Sequence, residues 1–166
     1  MGAKVEKIVA GGQTGVDRAA LDVALALDIP CGGWCPKGRR AEDGAVPGIY
    51  PLTETPSADY AERTGLNVRD SSGTLILLSG AADRGTRLAL ECARRLARPH
   101  LVVDLKENAD PRPVLDWLAD EDIRVLNVAG PRETSAPGIY EAASGFLRKL
   151  FRAILSRDDL GQRAGP

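Results

Sequence analysis

The stretch that most constrains this chain is Ile8-Val9-Ala10-Gly11-Gly12-Gln13-Thr14-Gly15-Val16-Asp17, where an apolar run breaks into a glycine-rich turn and opens a periodic helix. From Val16 the apolar positions Val16, Ala19, Ala20, Val23, Ala24 and Leu27 follow helical spacing on one face, until Pro30 ends the helix. Strand, small-residue turn and amphipathic helix, in that order, form the unit of α/β sheets. Gly11, Gly12 and Gly15 let the backbone take φ > 0 and approach a ligand. The first N–H groups of the helix lack internal partners and point toward any anion placed there. With Gln13, Thr14 and Asp17 beside it, the turn reads as a phosphate-holding loop. It is no Walker loop, because no Gly-Lys-Ser/Thr follows, and no G-x-G-x-x-G, because Gln13 takes the second glycine's place. On the polar side Arg18 and Asp22 stand one turn apart, a pairing worth roughly 0.2–0.5 kcal/mol.

The same rhythm returns later. Thr74-Leu75-Ile76-Leu77-Leu78 is continuously apolar, as strands covered on both faces are, and such strands are usually parallel. A helix to about Ala97 follows, with Leu88, Ala89, Cys92, Ala93 and Leu96 inward. Then come a strand at Leu101 to Leu105, a helix from Asp110-Pro111 to about Asp120, and a strand at Ile123 to Val128. A last helix from Gly138 to about Ser156 buries Ile139, Ala142, Ala143, Phe146, Leu147, Leu150 and Ile154. The expected fold is α/β, a Rossmann-like parallel sheet with helices on both faces in one domain over residues 1–156. Residues 157–166 form a polar tail that frays.

Residues 30–73 differ, since glycine and proline interrupt every apolar run. Trp34, Tyr50 and Tyr60 supply surface to pack this segment down as an ordered, lid-like excursion with short strands near Cys31 and Tyr50. Ser57 is placed to cap a short helix from Ala58 to Thr64, with Glu62 too far along to be its capping-box partner.

Composition removes several function classes. The 166 residues are 43% apolar and 27% charged with a net charge of -1, so no general basic field draws nucleic acid. No apolar run reaches a membrane span, and Met1 to Lys7 carries no signal core, so the expectation is a cytoplasmic protein with no membrane partner. Cys31, Cys35 and Cys92 with the lone His100 build no ordinary zinc site. They read as reduced, buried thiols, and no metal site is expected from side chains.

In an open parallel sheet ligands bind beyond the carboxyl ends of the strands, and three strands here run into small-residue turns: Gly11-Gly12, Ser79-Gly80 and Gly130-Pro131. Together they outline one cleft. Lys37, Arg39 and Arg40 are placed to close over an anion held there, although a solvated charged loop competes with that reading. Glu42 and Asp43 follow at once, candidates for a cation or a base. Gly85-Thr86 puts amides and a hydroxyl at the start of the next helix, a second phosphate-type position or a plain helix cap.

Gly11 to Asp17, Gly33-Trp34-Cys35-Pro36-Lys37-Gly38-Arg39-Arg40-Ala41-Glu42-Asp43-Gly44 and Asn127-Val128-Ala129-Gly130-Pro131-Arg132 together resemble the "putative molybdenum carrier" family, close to molybdenum-cofactor carrier proteins, from Lys7 to about Phe151. The resemblance implies a Rossmann-like domain of the wider group that includes the Lonely-Guy nucleotide phosphoribohydrolases and DprA-type proteins. It also implies a homo-oligomer, a dimer or tetramer, and a phosphorylated small molecule as partner: the molybdenum cofactor or a nucleotide such as AMP, ADP or ATP. The phosphoribohydrolases carry G-G-x-G-T-x-x-E. Here Asp83-Arg84 precedes Gly85, and the glutamate's position is Ala89, with Glu91 about 200° round the helix. The expectation is therefore non-catalytic binding or carriage, with no catalytic residue. The alternative is a nucleotide hydrolase using Glu42, Asp43 or Asp17.

Overall fold

An apolar strand such as Gly73–Leu78 can bury both faces only inside a sheet with helices above and below. The computed structural model, which describes residues 2–163, shows that arrangement. In chain order the elements are β1 (Lys7–Val9), α1 (Val16–Ala26), β2 (Cys31–Gly32), β3 (Trp34–Cys35), a single 3-10 turn (Lys37–Arg39), β4 (Arg40–Ala41), β5 (Gly44–Ala45) and β6 (Thr53–Glu54). Then follow α2 (Tyr60–Arg69), β7 (Gly73–Leu78), α3 (Arg84–Arg95), β8 (His100–Asp104), α4 (Arg112–Asp120), β9 (Val125–Ala129) and α5 (Ile139–Arg163).

The central sheet has the order β2-β1-β9-β7-β8 and every pairing in it is parallel. The last strand, β9, lies in the middle, with Leu126 opposite Ile8 of β1 and Val128 opposite Leu75 of β7. α1 packs on α5, which also touches α4, whereas α2 packs on α3. With right-handed crossovers this puts α1, α4 and α5 on one face and α2 with α3 on the other. The core on the first face joins Val16, Ala20 and Val23 of α1 to Phe146, Leu147 and Leu150 of α5 through Ile8 and Leu126 of the sheet, all buried.

Several local expectations shift. α2 starts later than expected and is capped by Asp59, whose carboxylate accepts from the Ala61 amide. Glu62 is then the third helical residue, and it reaches back to the Ser57 amide at 3.0 Å. On α5 Ala142 is exposed while Phe151 is fully buried, and on α3 Leu96 is exposed. α5 does not stop near Ser156 but runs to Arg163; the remainder of the expected tail, 164–166, lies outside the described residues. Arg18 and Asp22 do not pair. Arg18 takes both oxygens of Asp43 at 2.9 Å, and Asp22 accepts from the hydroxyls of Tyr50 and Tyr140 at 2.5 and 2.6 Å. Long-range partners of better geometry outbid a solvent-screened pair one turn away.

Candidate functional site

After β9 the chain crosses to α5 on one face, and after β7 it crosses to α3 on the other, so a crevice opens at the carboxyl ends of these adjacent strands. It holds a cavity of about 610 Å³, a size suited to a small-molecule ligand. Gly11 and Gln13 line it from the turn after β1, Asp17 from the first turn of α1, and Asn127 to Gly130 from the end of β9. Arg63, Thr64 and Asn67 of α2 face the first turns of α3 across it.

At the inner end Asp17 and Arg63 form an ion pair, Nη1 to Oδ2 at 2.9 Å, with side chains only 6% and 12% exposed. The same Oδ2 accepts from the Gln13 amide at 3.1 Å. Burial pushes the Asp17 carboxyl above its ordinary 3.8, against the pull of the Arg63 guanidinium. The guanidinium lies directly over Gly11, where a Cβ would fall inside its contact radius. Gly11 is thus required by the approach of a side chain.

In the turn after β1 the amides of Gln13, Thr14 and Val16 are directed to protein acceptors. The Pro131 carbonyl sits over Gly15, at φ 77, and accepts from the Val16 amide at 3.2 Å, so the α1 N-terminus is stoppered. The Thr14 amide goes to the Gln13 side chain. The helix start that opens on the cavity belongs to α3 instead. There Asp83 accepts from the amide and hydroxyl of Thr86 at 2.9 and 2.6 Å, and from the Arg132 amide at 3.2 Å. Burial would raise the Asp83 carboxyl, but those hydrogen bonds outweigh it and hold it below the ordinary 3.8. Arg84 and Gly85, in the first turn where N–H groups have no helical acceptor, line the cavity with Arg87 and Arg132.

Of the residues expected at a site, Gly11, Gln13, Asp17, Gly85, Thr86 and Gly130 therefore meet in one cavity. Gly12, Thr14, Gly15, Ser79 and Gly80 stand outside its lining, and the Gly80 amide is directed to the Asp104 carboxylate at 3.3 Å. The cationic loop is also elsewhere. Arg39 is committed to carbonyls of its own excursion, those of Val46, Pro47 and Tyr50 at 2.8–2.9 Å. Arg40 stands behind the Tyr60 ring, 4.6 Å from its centroid, and Lys37 is exposed. Arg39 and Arg40 brace the segment 36–58, and none of the three cations lines the cavity.

The carboxylates next to them are clasps. Glu42 accepts from the Thr14 hydroxyl, from the Thr134 hydroxyl at 2.5 Å and from the Thr134 amide at 3.3 Å. Burial raises its carboxyl, yet these donors prevail and leave it below the ordinary 4.5; Asp43 is held below 3.8 chiefly by its hydrogen bonds to Arg18. A carboxylate depressed in the folded state adds stability that is full above its unfolded value and is lost as pH falls through its folded one. Glu42→Gln is accordingly expected to cost about 1–3 kcal/mol at pH 7. The deficit shrinks as pH drops below the ordinary 4.5, which urea titrations at several pH values check.

Arg63 and Arg87 lay outside every stretch singled out in the sequence as a candidate site, and Arg84, Asn127 and Arg132 stood in quoted stretches without being given a binding role. The inward positions of α2 are Thr64, Asn67 and Val68, so a helix that packs a polar face inward is looking onto a polar space. Glu91 lines the cavity too, on the same exposed face as Arg84 and Arg87, despite its angular offset from Ala89. Among the described residues no group of three His, Cys, Asp or Glu side chains is placed to hold a metal ion, and no helix is long and apolar enough to cross a membrane.

A parallel sheet with a cavity at its topological switch point makes this a Rossmann-like α/β protein. The circularly permutated YpsA SLOG family matches residues 8–151, and the chain belongs to that family. Its structure is similar to the crystal structure of a protein from Syntrophus aciditrophicus SB named "Putative molybdenum carrier protein", with 44% identity and a TM-score of 0.88, covering 90% of this chain and 97% of that one. No curated protein matches the chain.

Proposed function

We propose that the protein binds and carries, without transforming it, a phosphorylated small molecule in the cavity between α2 and α3: the molybdenum cofactor or a nucleotide. The observation that carries this reading is the first turn of α3, where uncapped backbone positions at Arg84 and Gly85 border a 610 Å³ space together with Arg87 and Arg132. The name of the 44% identical protein, that of a molybdenum carrier, agrees with the first of these cargoes. Of the three carboxylates proposed for the hydrolase alternative, Glu42, held by two threonines, and Asp43, held by Arg18, stand outside the cavity lining, and Asp17 is tied by Arg63 in an ion pair.

Mass spectrometry of small molecules released from the purified protein, with titrations of AMP, ADP, ATP and molybdopterin, tests the proposal. Binding at micromolar concentrations is expected, and no binding below millimolar rejects it. The double variant Arg84→Ala/Arg87→Ala is expected to weaken binding of a phosphorylated ligand by roughly 10-fold or more and to flatten its salt dependence. Calorimetric titrations at two ionic strengths check this. Release of free base from nucleoside monophosphates, followed by chromatography, would instead favour the hydrolase.

A further inference from the structure

The rim and the floor of the cavity differ in chemistry. Exposed Arg84 and Arg87 stand at the rim, while the floor holds the buried Asp17–Arg63 pair. That pair is incomplete. Both hydrogen bonds that Asp17 accepts fall on Oδ2, from the Gln13 amide and from Arg63 Nη1, and none falls on Oδ1 among the described residues. Arg63 spends only Nη1 on a protein acceptor; its Nε is sealed from the cavity, and its Nη2 is left with no hydrogen-bond partner among the described residues. A buried ion pair left half satisfied is costly, so a ligand that completes it gains correspondingly.

What the pair lacks defines the complement. The open carboxylate oxygen needs an N–H donor, and the open guanidinium nitrogen beside it needs an acceptor. The 2-amino-4-oxopyrimidine edge, shared by pterins and guanine, offers ring and amino N–H groups next to a carbonyl. Adenine puts an amino group where that carbonyl would be. Apolar wall for a flat ring is supplied by Leu88 and Ala89 of α3 and by Tyr60 of α2, all of which line the cavity.

We propose that Asp17 and Arg63 read a 2-amino-4-oxopyrimidine edge, Asp17 accepting from its N–H groups and Arg63 donating to its carbonyl, so that the cavity selects pterin and guanine compounds over adenine ones. This rests on the binding reading above and names the class of ligand for the same site.

The test is a set of calorimetric titrations with GMP, neopterin monophosphate, AMP and XMP on the full chain and two variants, each with its melting temperature recorded. GMP or neopterin monophosphate is expected to bind at least about 10-fold more tightly than AMP, and whichever is tighter identifies the source of the edge. Asp17→Asn presents an amide donor where an acceptor stood. It should lower GMP affinity about 10–100-fold and gain affinity for XMP, whose 2-oxo group accepts that donor; the gain itself shows the variant is folded. Gly11→Ala displaces the Arg63 guanidinium while keeping Asp17, and should weaken GMP without the gain for XMP. AMP binding as tightly as GMP and neopterin monophosphate, or a folded Asp17→Asn with unchanged preference, overturns this inference and leaves the carrier reading standing. Failure of every phosphorylated compound to bind overturns both.

Discussion

Replacing Arg63 with methionine is expected to lower the thermal midpoint by roughly 10 °C, the largest loss of any single change at the cavity. The guanidinium is the counter-charge of Asp17, and both side chains are almost fully removed from water. Breaking such a pair from one side costs about 3–5 kcal/mol because it strands the other charge. The direction of the pH effect is fixed by Asp17, which burial already raises above its ordinary 3.8 with Arg63 opposing. Without Arg63 the folded value climbs further, so Asp17 takes up a proton. A group raised in the folded state contributes stability that is present below its unfolded value and lost as pH rises through its folded one. The deficit of Arg63→Met should therefore be greatest near neutrality and shrink toward pH 4. The double variant Asp17→Asn/Arg63→Met should cost less than Arg63→Met alone, since no charge is stranded. Thermal melts of both variants across pH decide the matter: a deficit that does not depend on pH would mean that lost packing, and not the stranded carboxylate, sets the cost.

Gly15→Ala should come next, at about 3 kcal/mol or more. Two separate physical costs meet there. The residue has φ 77 and ψ -127, a conformation that L side chains rarely adopt. An added Cβ would also run into the Pro131 carbonyl and the Arg132–Glu133 backbone, which cannot swing aside as a side chain would. Gly11→Ala is the contrasting case in the same turn, because its clash is with the Arg63 side chain and not with backbone, and its φ is not in the left-handed region. Chemical denaturation should find Gly15→Ala severely destabilised. Gly11→Ala should be destabilised too, but through the Asp17–Arg63 pair it pushes apart and not through backbone strain, so its deficit, unlike that of Gly15→Ala, should shrink toward pH 4.

The comparison of these glycines shows why the fold was more legible than the site. Strand and helix positions follow from local rules of burial, and the period of Val16 to Ala24 or the unbroken Thr74 to Leu78 run needs no knowledge of what packs against it. The meaning of a glycine depends on what approaches it. Gly11 and Gly15 looked like room for a phosphate, but the approaching groups are Arg63 and Pro131, 52 and 116 residues further along. The same holds for charge: three cations in four residues read as one anion-binding unit, yet Arg39 turned to local carbonyls and Arg40 to a tyrosine ring. Glu42 and Asp43, adjacent in sequence, clasp different elements. The polar inner face of α2 was hidden for the same reason: the sequence placed its helix at Ala58 to Thr64, and only the structure extends it to Arg69 and shows Thr64 and Asn67 buried.

The position of β9 governs the order in which the molecule can assemble. Hydrogen bonding across the sheet joins the β2-β1 pair to the β7-β8 pair only through this strand, the last of the five to be synthesised. Until Val125–Ala129 has emerged, the earlier strands can form two separate ribbons, each too small to be stable alone. Folding of this sheet during synthesis should thus be withheld until β9 is available and then proceed in one cooperative step. The cavity, bordered by both halves, would come into existence only at that moment. A chain ending at Ile123 should show no cooperative unfolding transition, however much helix it retains, and should be cleaved by protease at sites protected in the full chain.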